Sequence, residues 1–95
     1  MPAYLIADTH ITDAQAYDEY RRQVAPLIQQ YGGRFIVRGG KHEVLEGESG
    51  VKRLVVVEFP SMESLKSWYA SPEYAPVRAL RQRASTATLI AVEGY

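Results

Sequence analysis

Apolar residues recur along this chain with two different periods, and the change between them marks the secondary structure. Four runs rich in β-branched and other apolar residues predict strands at residues 3–9, 34–38, 51–59 and 86–93. Between them, apolar residues at three- and four-residue spacings predict helices. Their stripes are Tyr17, Tyr20, Val24, Leu27, Ile28 and Tyr31, then Met62, Leu65, Trp68 and Tyr69, then Tyr74, Val77 and Leu80.

Residues with capping and breaking propensity set the predicted ends of these helices. Thr12, with Gln15 three residues later, is expected to cap the first helix, and Gly32-Gly33 to end it. Ser61 is expected to cap the second helix. Ser71-Pro72 then interrupts that helix and predicts a restart, with the serine as N-cap and the proline at the first helical position.

The second strand is expected to bend or bulge at Gly39-Gly40, to resume over residues 42–46 and to turn at 47–50. The resulting order is β-α-β-β-α-β with the second helix broken in two, which is the ferredoxin-like arrangement of an α+β fold. It predicts one domain over residues 1–95, with a four-stranded antiparallel sheet, helices on one face, and the first and third strands in the centre.

Both faces of the predicted sheet are apolar, although helices cover only one. Leu5 and Ile6 point to opposite faces, and the third strand runs through Leu54, Val55, Val56 and Val57 without polar alternation. An uncovered apolar face of this kind is typical of an interaction surface. The chain is therefore expected to form a homodimer through this sheet face.

Composition narrows the classes of function. The formal net charge is zero, which argues against a nucleic-acid partner. The absence of cysteine excludes disulfides and thiolate chemistry. No apolar run approaches membrane-spanning length and residues 1–7 lack the features of a signal peptide, so no membrane partner is expected and the cytoplasm is the expected location.

Several short motifs occur along the chain as a recognisable set. They are Tyr31-Gly32-Gly33-Arg34, Arg38-Gly39-Gly40, Leu45-Glu46-Gly47, Glu58-Phe59-Pro60-Ser61, Trp68-Tyr69, and Ser71-Pro72-Glu73-Tyr74 followed by Arg78 and Arg81. With these motifs the chain resembles the bacterial family called domain of unknown function 1330, within the dimeric α+β barrel superfamily. The resemblance covers essentially the whole chain. It implies a ferredoxin-like fold and a dimer whose two sheets form a barrel, but it supplies no activity.

A charged cluster is expected near the end of the second and third strands. Arg34 and Arg38 share strand parity, which predicts that both point to one face, and the hairpin brings Arg38 near Phe59 or Glu58. One hypothesis is a site where arginine grips a ligand carboxylate and Glu58 positions an arginine or acts as a base. The alternative is an ion pair that only closes the hairpin.

Trp68, Tyr69 and Arg81 complete the set of candidate binding residues. Trp68 and Tyr69 project about 100° apart on a helix, so one can face the sheet while the other flanks a cleft. Each is interpreted either as the wall of an aromatic pocket or as core packing. Arg81 shares a helical face with Arg78, and this face either rings a pocket mouth or is solvated.

His10 is the second candidate for a catalytic base, since it shares strand parity with Asp8; a surface or capping role is the alternative. His10 and His42 are the only histidines and lack ligand spacing, so no metal site is expected. No cofactor motif is present, and haem has no positive support. The quinone-forming and haem-degrading enzymes of the superfamily are typified by an Asn–Trp–His set, and this chain contains no Asn.

These observations predict a small homodimeric domain that binds a small anionic or aromatic molecule between sheet and helices, and they leave open whether it is an enzyme. Two alternatives remain at this point. One is a cofactor-independent oxygenase or isomerase with Glu58 or His10 as base. The other is a structural or interaction module without a ligand.

Overall fold

The computed structural model describes all 95 residues, Met1–Tyr95. Its elements follow the predicted order, with a second helix split in two. They are β1 (Ala3–Ile11), α1 (Ala14–Gln30), β2 (Arg34–Arg38), β3 (Leu54–Phe59), α2 (Met62–Tyr69), α3 (Tyr74–Ala84) and β4 (Ser85–Glu93). The α+β, ferredoxin-like prediction is confirmed.

The sheet has the strand order β2-β3-β1-β4 and is antiparallel throughout. β1 and β3 are central, as predicted. Burial alternates along both: Leu5, Ala7, Val55 and Val57 are buried, whereas the residues between them are half-buried. Alternation with period two means that the helices cover one face of the sheet and leave the other uncovered.

Aromatic side chains form the centre of the core between sheet and helices. Trp68 is 1% exposed, and its ring centroid lies 5.5 Å from that of Phe59 and 4.3 Å from that of Tyr74. The Tyr74 hydroxyl shares a 3.0 Å hydrogen bond with that of Tyr20, which joins α3 to α1. Trp68, a residue of α2, therefore packs against both β3 and α3.

Two of the three predicted helix caps form. The Ser61 hydroxyl accepts from the Ser64 N–H at 3.1 Å, and the Ser71 hydroxyl accepts from the Tyr74 N–H at 3.2 Å. The prediction of Pro72 at the first helical position is wrong, because α3 begins at Tyr74. The expected cap at Thr12 is wrong. Asp13 caps α1 instead, and its carboxylate accepts from the Ala16 N–H at 3.1 Å, a role in which aspartate also benefits from the helix dipole.

The predicted second half of β2 is also wrong. Residues 42–46 are exposed and form no strand. At the β2 edge of the sheet, β3 pairs only with residues 34–38. Residues 42–46 therefore have no neighbouring strand to which they could hydrogen-bond. Gly39, with φ of 72°, turns the chain away, and β3 begins at Leu54 rather than Val51. The bulge expected at Gly39-Gly40 lies earlier, between Phe35 and Val37.

The uncovered side of the sheet, here called the open face, has an apolar row that crosses all the strands. Val37 pairs with Val56, Val56 with Ile6, and Ile6 with Ile90. Ile90 is 55% exposed. No helix of the structure has the length and apolar character needed to cross a membrane.

Close packing at Gly33 generates a test of this core. A Cβ at Gly33 would lie 2.7 Å from Ile28 Cγ2 and 2.8 Å from the Phe59 ring, whereas one at Gly50 would meet nothing within 4 Å. We expect Gly33→Ala to destabilise the fold by about 1–3 kcal/mol through overpacking, and Gly50→Ala to leave stability almost unchanged. Urea unfolding at one fixed protein concentration measures both. Equal midpoints for the two variants would contradict the packing described here.

Candidate functional site

A small interior space between α1 and the helix-covered face of the sheet concentrates the unusual polar residues of the chain. We call it the arginine chamber. Its apolar walls come mainly from β1, β3 and α1. Its polar lining consists of Thr9, Tyr17, Tyr20, Arg21, Arg38, Arg53, Trp68 and Arg81. No aspartate, glutamate or histidine lines it.

The positive charge of this chamber is not matched by nearby carboxylates. Of its arginines, only Arg21 pairs with one, Asp18, at 3.3 Å on the exposed surface of α1. Arg38 lies over the Phe35 ring, 4.1 Å from its centroid, and Arg53 donates to the Tyr17 hydroxyl at 3.3 Å. Arg81 is only 7% exposed. Arg38 is exposed and Arg53 is half-buried, so Arg81 is the buried charge of this chamber, and buried charges are normally paired.

Three buried N–H donors in the chamber have no acceptor: Trp68 Nε1, Arg81 Nε and Arg21 Nε. Most buried polar atoms in proteins have a partner, and an orphan calls for an explanation. All three orphans are donors and all belong to residues that line the same space. A partner for any of them would have to be an acceptor.

The Tyr20 hydroxyl, which also lines the chamber, remains protonated. Burial, together with the nearby Tyr74, raises the pKa of the Tyr20 hydroxyl well above its usual value. Tyr20 and Tyr74 share their hydrogen bond in the interior. The chamber consequently presents the neutral Tyr20 hydroxyl and cationic guanidinium groups, but no carboxylate or imidazole.

The chamber is small and adjoins a larger groove. Its volume is about 40 Å³, and a buried water needs ~10–15 Å³ of such space, so a carboxylate or a few waters would fill it. The neighbouring space measures about 460 Å³ and we call it the α2–β4 groove. Its lining is Leu5, Leu65, Lys66, Tyr69, Ala70, Leu89 and Ala91.

Arg34 and Glu58 lie on the opposite side of the sheet from the chamber. Arg34 pairs with Glu58 across β2 and β3, and its Nε donates to Oε1 at 2.7 Å. Tyr4 donates to the other carboxylate oxygen at 3.2 Å. The hydrogen bond from Arg34 lowers the pKa of Glu58. Glu58 is thus ionised and hydrogen-bonded. Burial, which would raise its pKa toward that of a useful base, has a smaller effect than the hydrogen bond from Arg34.

The expectation that Arg34 and Arg38 point to one face is wrong. The bulge between Phe35 and Val37 adds a residue, so Arg34 pairs with Glu58 on the open face whereas Arg38 pairs with Val55 on the helix-covered face. Arg38 is likewise not the partner of Phe59 or Glu58. A shift of one residue in a strand exchanges the two faces.

His10 lies exposed at the end of β1, on the side of the sheet opposite Thr9, which lines the chamber. It borders a shallow surface depression with Asp8, Lys52 and Thr88. The Asp8 carboxylate accepts from the Lys52 backbone N–H at 2.9 Å, so the Asp8–His10 pair considered from strand parity does not form. Nowhere in the chain do three His, Asp or Glu side chains cluster as a metal site requires.

The sequence-derived candidates thus divide into separate groups. The structure brings Arg38, Trp68 and Arg81 together in the chamber, and Tyr69 lies in the adjacent groove. Trp68 and Tyr69 diverge as their helical offset predicts: one is buried and the other is 37% exposed.

Sequence reasoning missed Arg21 and Arg53 as lining residues, although signals for them existed. Arg21 is four residues after Tyr17 and so shares its helical face. Arg53 shares strand parity with Val55 and Val57, which predicts that it points toward the helices.

Sequence comparison gives the family. The model of a family described as "Domain of unknown function (DUF1330)" matches residues 2–95. The chain belongs to this family. The family resemblance inferred from the motifs is therefore confirmed, while no curated protein matches the chain.

Solved structures similar to this family member share its fold. A protein of unknown function from Rhodopseudomonas palustris is 20% identical with a TM-score of 0.79, over 99% of this chain and 82% of that one. A dimeric ferredoxin-like protein of unknown function from Jannaschia sp. is 12% identical with a TM-score of 0.67, over 99% and 100%. SnoaB, a cofactor-independent oxygenase from Streptomyces nogalater, is 11% identical with a TM-score of 0.69, over 99% and 93%.

The ion pair on the open face predicts a pH dependence. Because the folded-state pKa of Glu58 is lowered from 4.5, its charged form stabilises the fold above that value, and this contribution is lost as the pH falls through the lowered pKa. We expect Glu58→Gln to lower the urea midpoint at neutral pH and to match the unchanged protein in strongly acidic buffer. A difference that persists undiminished in acid would contradict the ion-pair explanation.

Proposed function

We propose that this chain is a homodimeric binding domain for a small organic anion, held between the sheet and its helices. The observation that carries the proposal is the arginine chamber, where Arg21, Arg38, Arg53 and Arg81 share one interior space without a carboxylate in its lining. An arginine guanidinium presents a planar set of donors that matches a carboxylate, and it stays charged when buried.

The orphaned donors support an anion over a neutral apolar ligand. Trp68 Nε1 and Arg81 Nε are both buried and both lack an acceptor. Leaving such groups unpaired costs about 1–3 kcal/mol each, so a ligand that supplies acceptor oxygens removes this penalty. A purely structural module would have its buried polar groups paired internally, and this chamber does not.

The same geometry favours binding over proton abstraction by this chain. Glu58 and His10, the two residues considered as bases, belong to the open face, and the chamber lining includes no carboxylate or imidazole. Similarity to the Streptomyces nogalater oxygenase, at 11% identity, extends to the fold alone. The oxygenase hypothesis therefore has no specific residue of this chain in its favour.

The homodimer is proposed to form through the open face. The apolar row Val37–Val56–Ile6–Ile90 needs cover, and two copies related by a twofold axis would bury it. Polar pairs flank this row on both sides, with Arg34–Glu58 on one and Asp8 with Thr88 on the other. An apolar centre with a polar rim is the usual anatomy of a stable interface.

Substitution in this row tests the dimer. Ile90→Glu introduces a charge at a position already 55% exposed in the single chain. We expect it to leave the fold intact and to convert a dimer into a monomer at micromolar concentration, because the charge would be buried unpaired in the interface. Leu45→Glu is the matched control, since Leu45 is 92% exposed in the β2–β3 loop. Sedimentation equilibrium measures the number of subunits. A monomeric unchanged protein, or a dimeric Ile90→Glu variant, would overturn this interface.

Anion binding has a built-in reporter, since Trp68 is the only tryptophan. We expect butanoate, titrated at constant ionic strength, to shift the single indole N–H resonance in a saturable manner, and butanamide of the same shape to have no such effect. Arg38→Gln should weaken butanoate binding about two- to fivefold by removing a nearby charge.

Arg83→Gln is the matched control for that variant, because Arg83 is exposed on α3 and does not line the chamber. It should bind butanoate as the unchanged protein does. Equal effects of the two variants, or an indole resonance that responds equally to acid and amide, would show that the chamber arginines do not recognise the anion.

A further inference from the structure

We propose that the ligand is a monocarboxylic acid with an apolar body, whose carboxylate binds in the arginine chamber and whose body lies in the α2–β4 groove. This assignment rests on the proposed anion-binding function and adds to it the chemical class of the ligand. It follows from the position of the small, cationic chamber next to the larger, mainly apolar groove.

The chamber and the groove are neighbours on the same face of the sheet. Leu5 and Leu89 line both of them. Leu5 pairs with Val57 on β3 and with Ala91 on β4, so one cross-strand row passes from the chamber wall to the groove wall. A ligand that spans the two spaces would rest on this row.

The volumes of the two spaces indicate which end of the ligand each of them would hold. About 40 Å³ in the chamber accommodates a carboxylate but not a carbon skeleton, whereas about 460 Å³ in the groove lies within the ~300–1,000 Å³ typical of small-molecule sites. The chamber end supplies the unpaired donors of Trp68 and Arg81. The groove is apolar apart from Lys66 and the Tyr69 hydroxyl.

Adjacent aromatic side chains of α2 line the two spaces, one in each. Trp68, in the chamber, and Tyr69, in the groove, are adjacent residues of α2 whose ring centroids are 6.0 Å apart. Tyr74 packs on both, with centroid distances of 4.3 Å to Trp68 and 5.9 Å to Tyr69. The break between α2 and α3 positions this set, so the interrupted helix shapes both ends of the site.

The test compares acids of different length with a neutral isostere, using the Trp68 indole resonance as readout. Octanoate should bind at least about tenfold more tightly than butanoate, because each fully buried methylene contributes about fourfold. Octanamide should bind at least about tenfold more weakly than octanoate, because it lacks the charge that the arginines recognise.

Ala91→Phe tests the groove directly, since Ala91 is an exposed residue of its lining and a larger side chain there would fill it. We expect this variant to weaken octanoate binding at least about tenfold and butanoate binding far less, because butanoate places a much shorter alkyl chain in the groove. Ala75→Phe is the control, because Ala75 is exposed on α3 outside the groove. It should leave the binding of both acids as it is.

The outcomes separate this assignment from the anion-binding function on which it rests. Equal affinity for butanoate and octanoate, with no effect of Ala91→Phe, would overturn the groove assignment and leave the anion site intact. Octanamide binding as tightly as octanoate would overturn the carboxylate anchor. Failure of every acid to shift the indole resonance would overturn the anion-binding function itself.

Discussion

The two central strands place their side chains alternately on two faces of one sheet, and helices cover only one of those faces. This constraint organises the molecule. On the covered face, Leu5, Val55 and Val57 pack against Trp68 and the helices to form the core. On the open face, the row through Ile6 and Val56 has no cover within the chain. A domain of this size buries a limited part of its surface alone, so the uncovered row is the natural place for a second copy.

Within the covered face, packing is incomplete where the arginines converge. Most of the interior is apolar and aromatic, yet Arg81 is almost fully buried and Trp68 Nε1 has no acceptor. An interior built only for stability would replace such groups with apolar ones or pair them. Natural proteins tolerate departures from good packing mainly at functional sites. The conflict between the buried donors and their surroundings is therefore the physical basis for the proposed binding role.

The sequence predicted several residues of the candidate site, but not which of them come together. Trp68 and Tyr69 separated as their helical positions require, and the Ser71 hydroxyl formed the expected cap. The prediction that Arg34 and Arg38 share a face was wrong, because parity arguments assume an unbroken strand and the bulge after Phe35 reverses the faces. Residues 39–53 form a long loop between β2 and β3 rather than the short turn that the sequence predicted. The register of Glu58 against β2 could therefore not be derived from the sequence.

The sequence by itself determined the order of elements, the broken second helix, the central strands and the apolar character of both sheet faces. These properties depend on local spacing of apolar residues, which any stretch of chain displays without its partners. Only the tertiary structure decided which charged residues meet. Arg21 comes from α1, Arg38 from β2, Arg53 from the residue before β3 and Arg81 from α3. Their convergence depends on strand register and helix packing. A shift of one residue would send a strand side chain to the opposite face of the sheet and rotate a helix side chain by about 100°.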